Sequence, residues 1–124
     1  MCWRALLRFL LVGVGSACLL FWADQAAKIH WFVTPDAPSG FWYLGGWVQS
    51  IAHHNYGITF NIPVPTSITL AITAIALIWV LSRATKDARE RHYLSLLSLG
   101  LIAGGAIGNA YDRITLSDVR DWLL

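Results

Sequence analysis

The chain has 124 residues, about one domain's length; 56% are hydrophobic, only 13% are charged, and the formal net charge is +2. Soluble domains carry about 25% charged residues, so a soluble fold this small could not cover its apolar surface with its own polar groups, whereas lipid can. The small net charge, with no basic stripe interleaved with aromatics outside short loops, excludes nucleic acid as a partner.

The first apolar stretch follows Arg4 and Arg8 and runs from Phe9 to Ala23. Asp24 and Lys28 interrupt it before apolar residues resume at Ile29, Trp31 and Phe32. A basic start and an apolar run also describe a signal peptide, but two further apolar spans follow. Cys18 lies mid-way along this run, where a thiol acts as a small hydrophobe. Neither Cys2 nor Cys18 suggests a disulfide framework, a redox centre or a metal ligand.

The connection from Ile29 to Pro65 holds no Lys or Arg. Phe41–Leu44, Trp47–Ala52 and Ile58–Asn61 are rich in strand-forming residues, separated by Gly45-Gly46 and Asn55-Tyr56-Gly57. They predict a small sheet on the membrane surface, with Trp31, Trp42 and Trp47 reaching the headgroup zone. Asn55 and Gly57 suit a turn, since both tolerate positive φ. His53 and His54 are adjacent, so their side chains diverge, and no third ligand at a suitable spacing makes a zinc site of them.

The second span is Thr66 to Leu81, with Thr66 or Ser67 as N-cap after Pro63 and Pro65. A basic connection, Ser82–His92, follows, and the third span runs from Tyr93 to about Tyr111. The stretches are slightly short of the ~20 residues needed to cross a bilayer and extend through their flanks. Arg4 and Arg8 precede span one, while Arg83, Lys86, Arg89 and Arg91 crowd the second connection. The positive-inside rule therefore places the N-terminus and the basic connection in the cytoplasm, and the Trp-rich connection outside.

Ionisable residues in or beside spans are costly and are kept for a reason more often than not. Asp24 and Lys28, four apart, share one helical face and can pair. In Gly104-Gly105-Ala106-Ile107-Gly108-Asn109-Ala110-Tyr111-Asp112-Arg113, Gly104 and Gly108 form a small-xxx-small pair that admits a close helix. That reading leaves Asn109, Asp112 and Arg113, clustered on one face at the membrane exit, without an account. Asp121 follows in Val119-Arg120-Asp121-Trp122, where spacing alone is compatible with a loop carboxylate of no consequence.

Together these segments resemble the lipoprotein signal peptidases, the bacterial type II signal peptidases. Asp24-Gln-Ala-Ala-Lys28 is similar to the family's Asp-x-x-x-Lys, and Asn55-Tyr-Gly57-Ile-Thr-Phe60 to its Asn-x-Gly-x-(Ala/Ser)-Phe. The Gly104–Arg113 segment is similar to Gly-Gly-Ala-x-Gly-Asn-x-x-Asp-Arg, and Val119-Arg-Asp121-Trp122 to Val-Val-Asp-Phe. The resemblance implies a mainly α transmembrane bundle with a small extracytoplasmic β-cradle: three spans present and a fourth expected. It implies an aspartic endopeptidase of the bacterial inner membrane, acting at the outer face on diacylglyceryl-modified prolipoproteins, cutting before the lipidated cysteine. Membrane lipid is a second partner, and no metal or other cofactor is implied. Asp121 would be catalytic; Asp24, Lys28, Asn55, Gly57, Asn109, Asp112 and Arg113 would line or support the site.

Thr59 replaces a small family residue, and Arg120 stands where the family usually has Val. The family's second catalytic aspartate lies in Asn-x-Ala-Asp at the start of its fourth span, a motif absent from residues 1–124. The expectation is one lipoprotein signal peptidase-like domain over 1–124, incomplete at its C-terminus and inactive alone. Two alternatives are an inactive membrane protein that binds lipidated peptides, and a small transporter subunit relaying protons through Asp24, Lys28 and Asp112.

Overall fold

A computed structural model describes residues 2–33, 42–58 and 62–123. Phe41 at the start of the first strand-like segment, and Thr59, Phe60 and Asn61 at the end of the third, lie outside the described residues. Helix α1 (Trp3–Arg8), a π-helical turn (Phe9–Val14) and helix α2 (Gly15–Val33) follow one another without a break. A two-stranded antiparallel unit, β1 (Trp42–Tyr43) and β2 (Val48–Asn55), leads to α3 (Thr66–Glu90) and α4 (Tyr93–Leu116). Strand β3 (Val119–Leu123) then pairs antiparallel with β2, giving the sheet order β1-β2-β3. Three helical stretches, Trp3–Phe32, Thr66–Glu90 and Tyr93–Leu116, are long and apolar enough to cross a membrane.

The predicted pairing of Asp24 and Lys28 along one helical face is present at 2.7 Å, within the unbroken α2. Three expectations need correction. The second helix does not stop at Leu81 but continues to Glu90. Its basic tail is built of good helix formers laced by the i,i+4 pairs Arg83–Asp87 and Lys86–Glu90, so the turn shrinks to Arg91 and His92, with Arg91 left-handed at φ 65. The N-cap of that helix is Pro65, not Thr66 or Ser67; its carbonyl accepts from the Thr69 amide and the Thr69 hydroxyl. Finally, Ile58 lies in a bend rather than a strand, and the third strand comes from Val119–Leu123.

The helices pack closely because α4 is small along one side. An added Cβ on Gly104 would strike the Ala17 carbonyl oxygen, and one on Gly100 would strike the Gly13 carbonyl oxygen and the Ser16 hydroxyl. The predicted close approach at Gly104 is therefore real, and Gly100 extends it by one turn. Ser16 is buried here, with its hydroxyl 2.6 Å from the Val12 carbonyl and 3.3 Å from that of Leu97. One turn before Gly100, Leu96 buries with Leu99 against Val80, Ala84 and Ala88 of α3.

The turn between β1 and β2 uses left-handed backbone at Leu44, Gly45 and Gly46, where the two glycines carry no Cβ penalty. At the far end of β2 the turn expected at Asn55 and Gly57 is closed by the Asn55 Oδ1 accepting the Gly57 amide at 3.0 Å, an Asx turn.

Candidate active site

Asp24 and Lys28 project from α2 toward α4 at the end of the bundle that carries the sheet. Lys28 is 1% exposed. Its Nζ lies 2.7 Å from Asp24 Oδ2 and 3.2 Å from Asp112 Oδ2, and it donates to Asn109 Oδ1 at 3.0 Å. The predicted pair is thus one arm of a larger cluster. Gly108 makes room for it, since a Cβ there would sit 2.6 Å from Asp24 Oδ2. The small-xxx-small pair therefore has two uses: Gly104 admits the α2 backbone, and Gly108 admits the Asp24 carboxylate.

Asp112 is fully buried, and both of its oxygens are engaged. Arg120 Nη2 reaches Oδ1 at 2.7 Å, Arg120 Nε reaches Oδ2 at 3.3 Å, and the Arg120 amide donates to Oδ2 at 3.1 Å. With Lys28 added, two cations face this one carboxylate, the compensation that a buried charge requires. Arg120 Nη2 also donates to Gln25 Oε1 at 2.7 Å, tying β3 to α2 as well as to α4. Sequence reasoning took Arg120 only as a departure beside Asp121; its fork and its Gln25 partner were missed. The Asp24-Gln25 adjacency was visible, but a contact with β3, almost the whole chain away, leaves no local signal.

Side chains alternate along β3. Arg120 and Trp122 turn toward the helices, where the Trp122 indole N–H points at Asp24 Oδ1, 3.3 Å away. Asp121, between them, accepts from Asn55 Nδ2 at 2.9 Å. The neighbouring guanidinium is therefore committed to Asp112. Arg113, one residue beyond Asp112, donates from Nη2 to the Gly57 carbonyl at 3.0 Å and so fixes the Asx turn over the site. Every residue predicted for the site lies in this one region. Asp24, Lys28, Asn109, Arg120, Asp121 and Trp122 line a cleft of about 200 Å³; Asn55, Gly57, Asp112 and Arg113 frame it.

His53 and His54 do diverge: His54 Nδ1 sits 2.8 Å from Asp118 Oδ2, while His53 stands opposite Asp121 in the strand register. Ionisable groups at the other end of the bundle form a separate set around buried Asp87, which receives Arg83 at 3.0 Å and the Ser95 hydroxyl. Between the two sets the three helices carry no Asp, Glu, Lys, Arg or His, so no chain of titratable groups crosses the bundle.

The family model described as signal peptidase (SPase) II matches residues 16–124. The lipoprotein signal peptidase of Nitrobacter hamburgensis is 35% identical, with 90% of this chain and 70% of that protein covered. Those of Methylobacterium sp. and Chlorobaculum tepidum are 29% and 31% identical, covering 94% and 93% of this chain and 73% and 69% of theirs. This chain belongs to the signal peptidase II family. The three apolar helices and the small antiparallel sheets are consistent with a membrane protease of that family. Within it, Arg120 and Gln25 form a brace that motif reading did not find.

Proposed function

We propose that this protein is a membrane-embedded aspartic endopeptidase that removes signal peptides from diacylglyceryl-modified prolipoproteins, cutting before the lipidated cysteine. The observation that carries the reading is the placement of Asp121. It is half-buried, oriented by the Asn55 amide, and set in a cleft with Asp24, Lys28 and Asn109. Residues 1–124 form one domain of this kind, with the N-terminus cytoplasmic and the cleft at the outer face of a bacterial inner membrane.

The chemistry requires two carboxylates sharing one proton, because like charges at short range do not both ionise readily. The ionised carboxylate takes a proton from water as the water oxygen attacks the scissile carbonyl. The protonated one donates to the carbonyl oxygen, and collapse of the tetrahedral intermediate releases the amine after proton return. Asp121 supplies one carboxylate. Asp112 does not supply the other, because Lys28 and Arg120 occupy both its oxygens and hold it as a fixed anion. The second carboxylate belongs to an Asn-x-Ala-Asp motif, which residues 1–124 do not contain. Asn109 and the Gly57 turn, held by Arg113, border the space where substrate backbone would lie.

The test is a cleavage assay on a lipobox peptide whose cysteine carries diacylglycerol. These 124 residues alone should bind the peptide without cutting it. Joined to a further span that opens on Asn-x-Ala-Asp they should cut, and Asp121→Asn should lower turnover by roughly a thousandfold or more. Turnover by the 124 residues alone would overturn the assignment of the second carboxylate to a further span, and turnover that survives Asp121→Asn would overturn the catalytic role of Asp121.

A further inference from the structure

Strand β3 is held on either side of Asp121 by polar side chains. Before it, Arg120 spans two helices: Nη2 and Nε reach Asp112 of α4 at 2.7 and 3.3 Å, and Nη2 donates to Gln25 Oε1 of α2 at 2.7 Å. After it, the Trp122 indole N–H points at Asp24 Oδ1 of α2. Where the chain reads Val119-Arg120-Asp121-Trp122, the motif it resembles reads Val-Val-Asp-Phe. Neither Val nor Phe carries a side-chain donor, so each departure adds one, aimed at one of the two carboxylates beside Lys28.

The backbone shows why such anchors matter. Among the described residues β3 is five residues long, lies at the edge of the sheet and pairs with β2 alone. Its register with β2 shifts between Ser50 and His53, and His53 is the residue opposite Asp121. A slip of one residue turns every side chain of a strand to the other face, and a short edge strand beside an irregularity has little main-chain pairing to resist it. Arg120 supplies that resistance twice over, because its amide also donates to Asp112 Oδ2, at 3.1 Å. Asp112 is itself buried and paired with Lys28, so the strand is fastened to a fixed point.

We propose that Arg120 is a positioning residue for the reaction: by clamping β3 to Gln25 and Asp112, it sets the register that presents Asp121 to Asn55 and to the scissile bond. The inference rests on the catalytic reading of Asp121 given above and acts through that residue. A lysine does not replace the clamp, because an ammonium is a point charge and a guanidinium is a planar fork that bridges two acceptors.

The readout on the chain itself is the Asn55 side-chain amide, which donates to Asp121. By NMR of the isotope-labelled chain in detergent micelles, that amide should exchange slowly with water. Arg120→Val should speed its exchange severalfold, Arg120→Lys should restore little of the protection, and Gln25→Leu should give a smaller loss of the same kind. Backbone amides at the Ala17–Gly104 contact should stay protected throughout, which separates a freed strand from a loosened fold. Since the Gln25 arm meets β3 at Arg120, Gln25→Leu added to Arg120→Val should change little further, and additive losses would overturn the clamp. In the chain joined to a span that opens on Asn-x-Ala-Asp, Arg120→Val should lower kcat about tenfold to a hundredfold, the cost of a misplaced reacting group, with KM little changed. A raised KM at constant kcat would overturn the positioning role in favour of substrate binding by Arg120. Asn55 protection that survives Arg120→Val overturns the proposal whatever the assay shows. Turnover that survives Asp121→Asn defeats the catalytic reading instead, and the Asn55 amide still decides whether Arg120 holds the strand. If Arg120→Val does not fold, Gln25→Leu carries the test, and unchanged Asn55 protection in that variant refutes the clamp.

Discussion

Lys28 sets the charge balance of the cleft, because its single ammonium touches Asp24, Asn109 and Asp112 in a setting almost closed to solvent. Burying the charges of Lys28 and Asp112 is unfavourable one by one and tolerable only as a set. Removing the cation should therefore cost more than the pair interactions it makes, since two carboxylates are left facing each other. Lys28→Met should destabilise the chain by about 3–5 kcal/mol, the usual cost of breaking a buried pair, as read from denaturant unfolding in detergent. A loss under about 1 kcal/mol, the range of exposed pairs, would show that water reaches the cluster. The Asp24–Lys28 pairing was legible because four residues along a helix is a local distance. The Arg120–Asp112 fork was not, since it depends on how the chain reverses between α4 and β3 through Ser117, which is left-handed at φ 68.

At the scale of elements, the glycines of α4 separate into those that face another backbone and those that do not. Gly104 faces the Ala17 carbonyl, whereas a Cβ on Gly105 would meet Leu20 Cδ2 at an ordinary 3.8 Å. Gly104→Ala should push α2 from α4 and cost about 1–3 kcal/mol, the range of overpacking. Gly105→Ala should be neutral or slightly stabilising, as Ala is the better helix former. Thermal unfolding of the two variants side by side checks this; equal effects would mean that α2 and α4 are not in backbone contact there. The sequence pattern gave Gly104 and Gly108 their role because a four-residue spacing repeats on one helix face. It gave no such signal for β3: Val119–Leu123 is five residues long, and its strand character comes from β2, far back in the chain. Likewise, a basic run reads as a loop by its polarity, yet Arg83–Asp87 and Lys86–Glu90 carry it as helix.

For the whole molecule, the chief organising feature is the segregation of charge to the two ends of an apolar bundle. One end is a basic turn built around Asp87, the other a mixed cluster under a three-stranded sheet. Helix number and the gathering of Asp24, Asn55, Asn109, Asp112 and Asp121 at one end were legible, because span hydropathy and motif order both survive without tertiary detail. A proton relay requires stepping stones through the membrane depth; here the two ionisable sets are separated by bare apolar helix. The arrangement instead favours chemistry confined to one surface, where a lipid-anchored peptide bond can be presented to Asp121.

The most direct measurement of that claim is photocrosslinking with a diacylglyceryl lipobox peptide carrying a photoreactive residue just before the lipidated cysteine. Adducts should map to the cleft on β2, β3 and the sheet-side ends of α2 and α4, around Asn55, Asn109 and Asp121, and Arg113→Ala should reduce them by releasing the Gly57 turn. Adducts confined to the basic end, or to the outward face of α3, would contradict the assignment of the cleft as the place where the substrate is held.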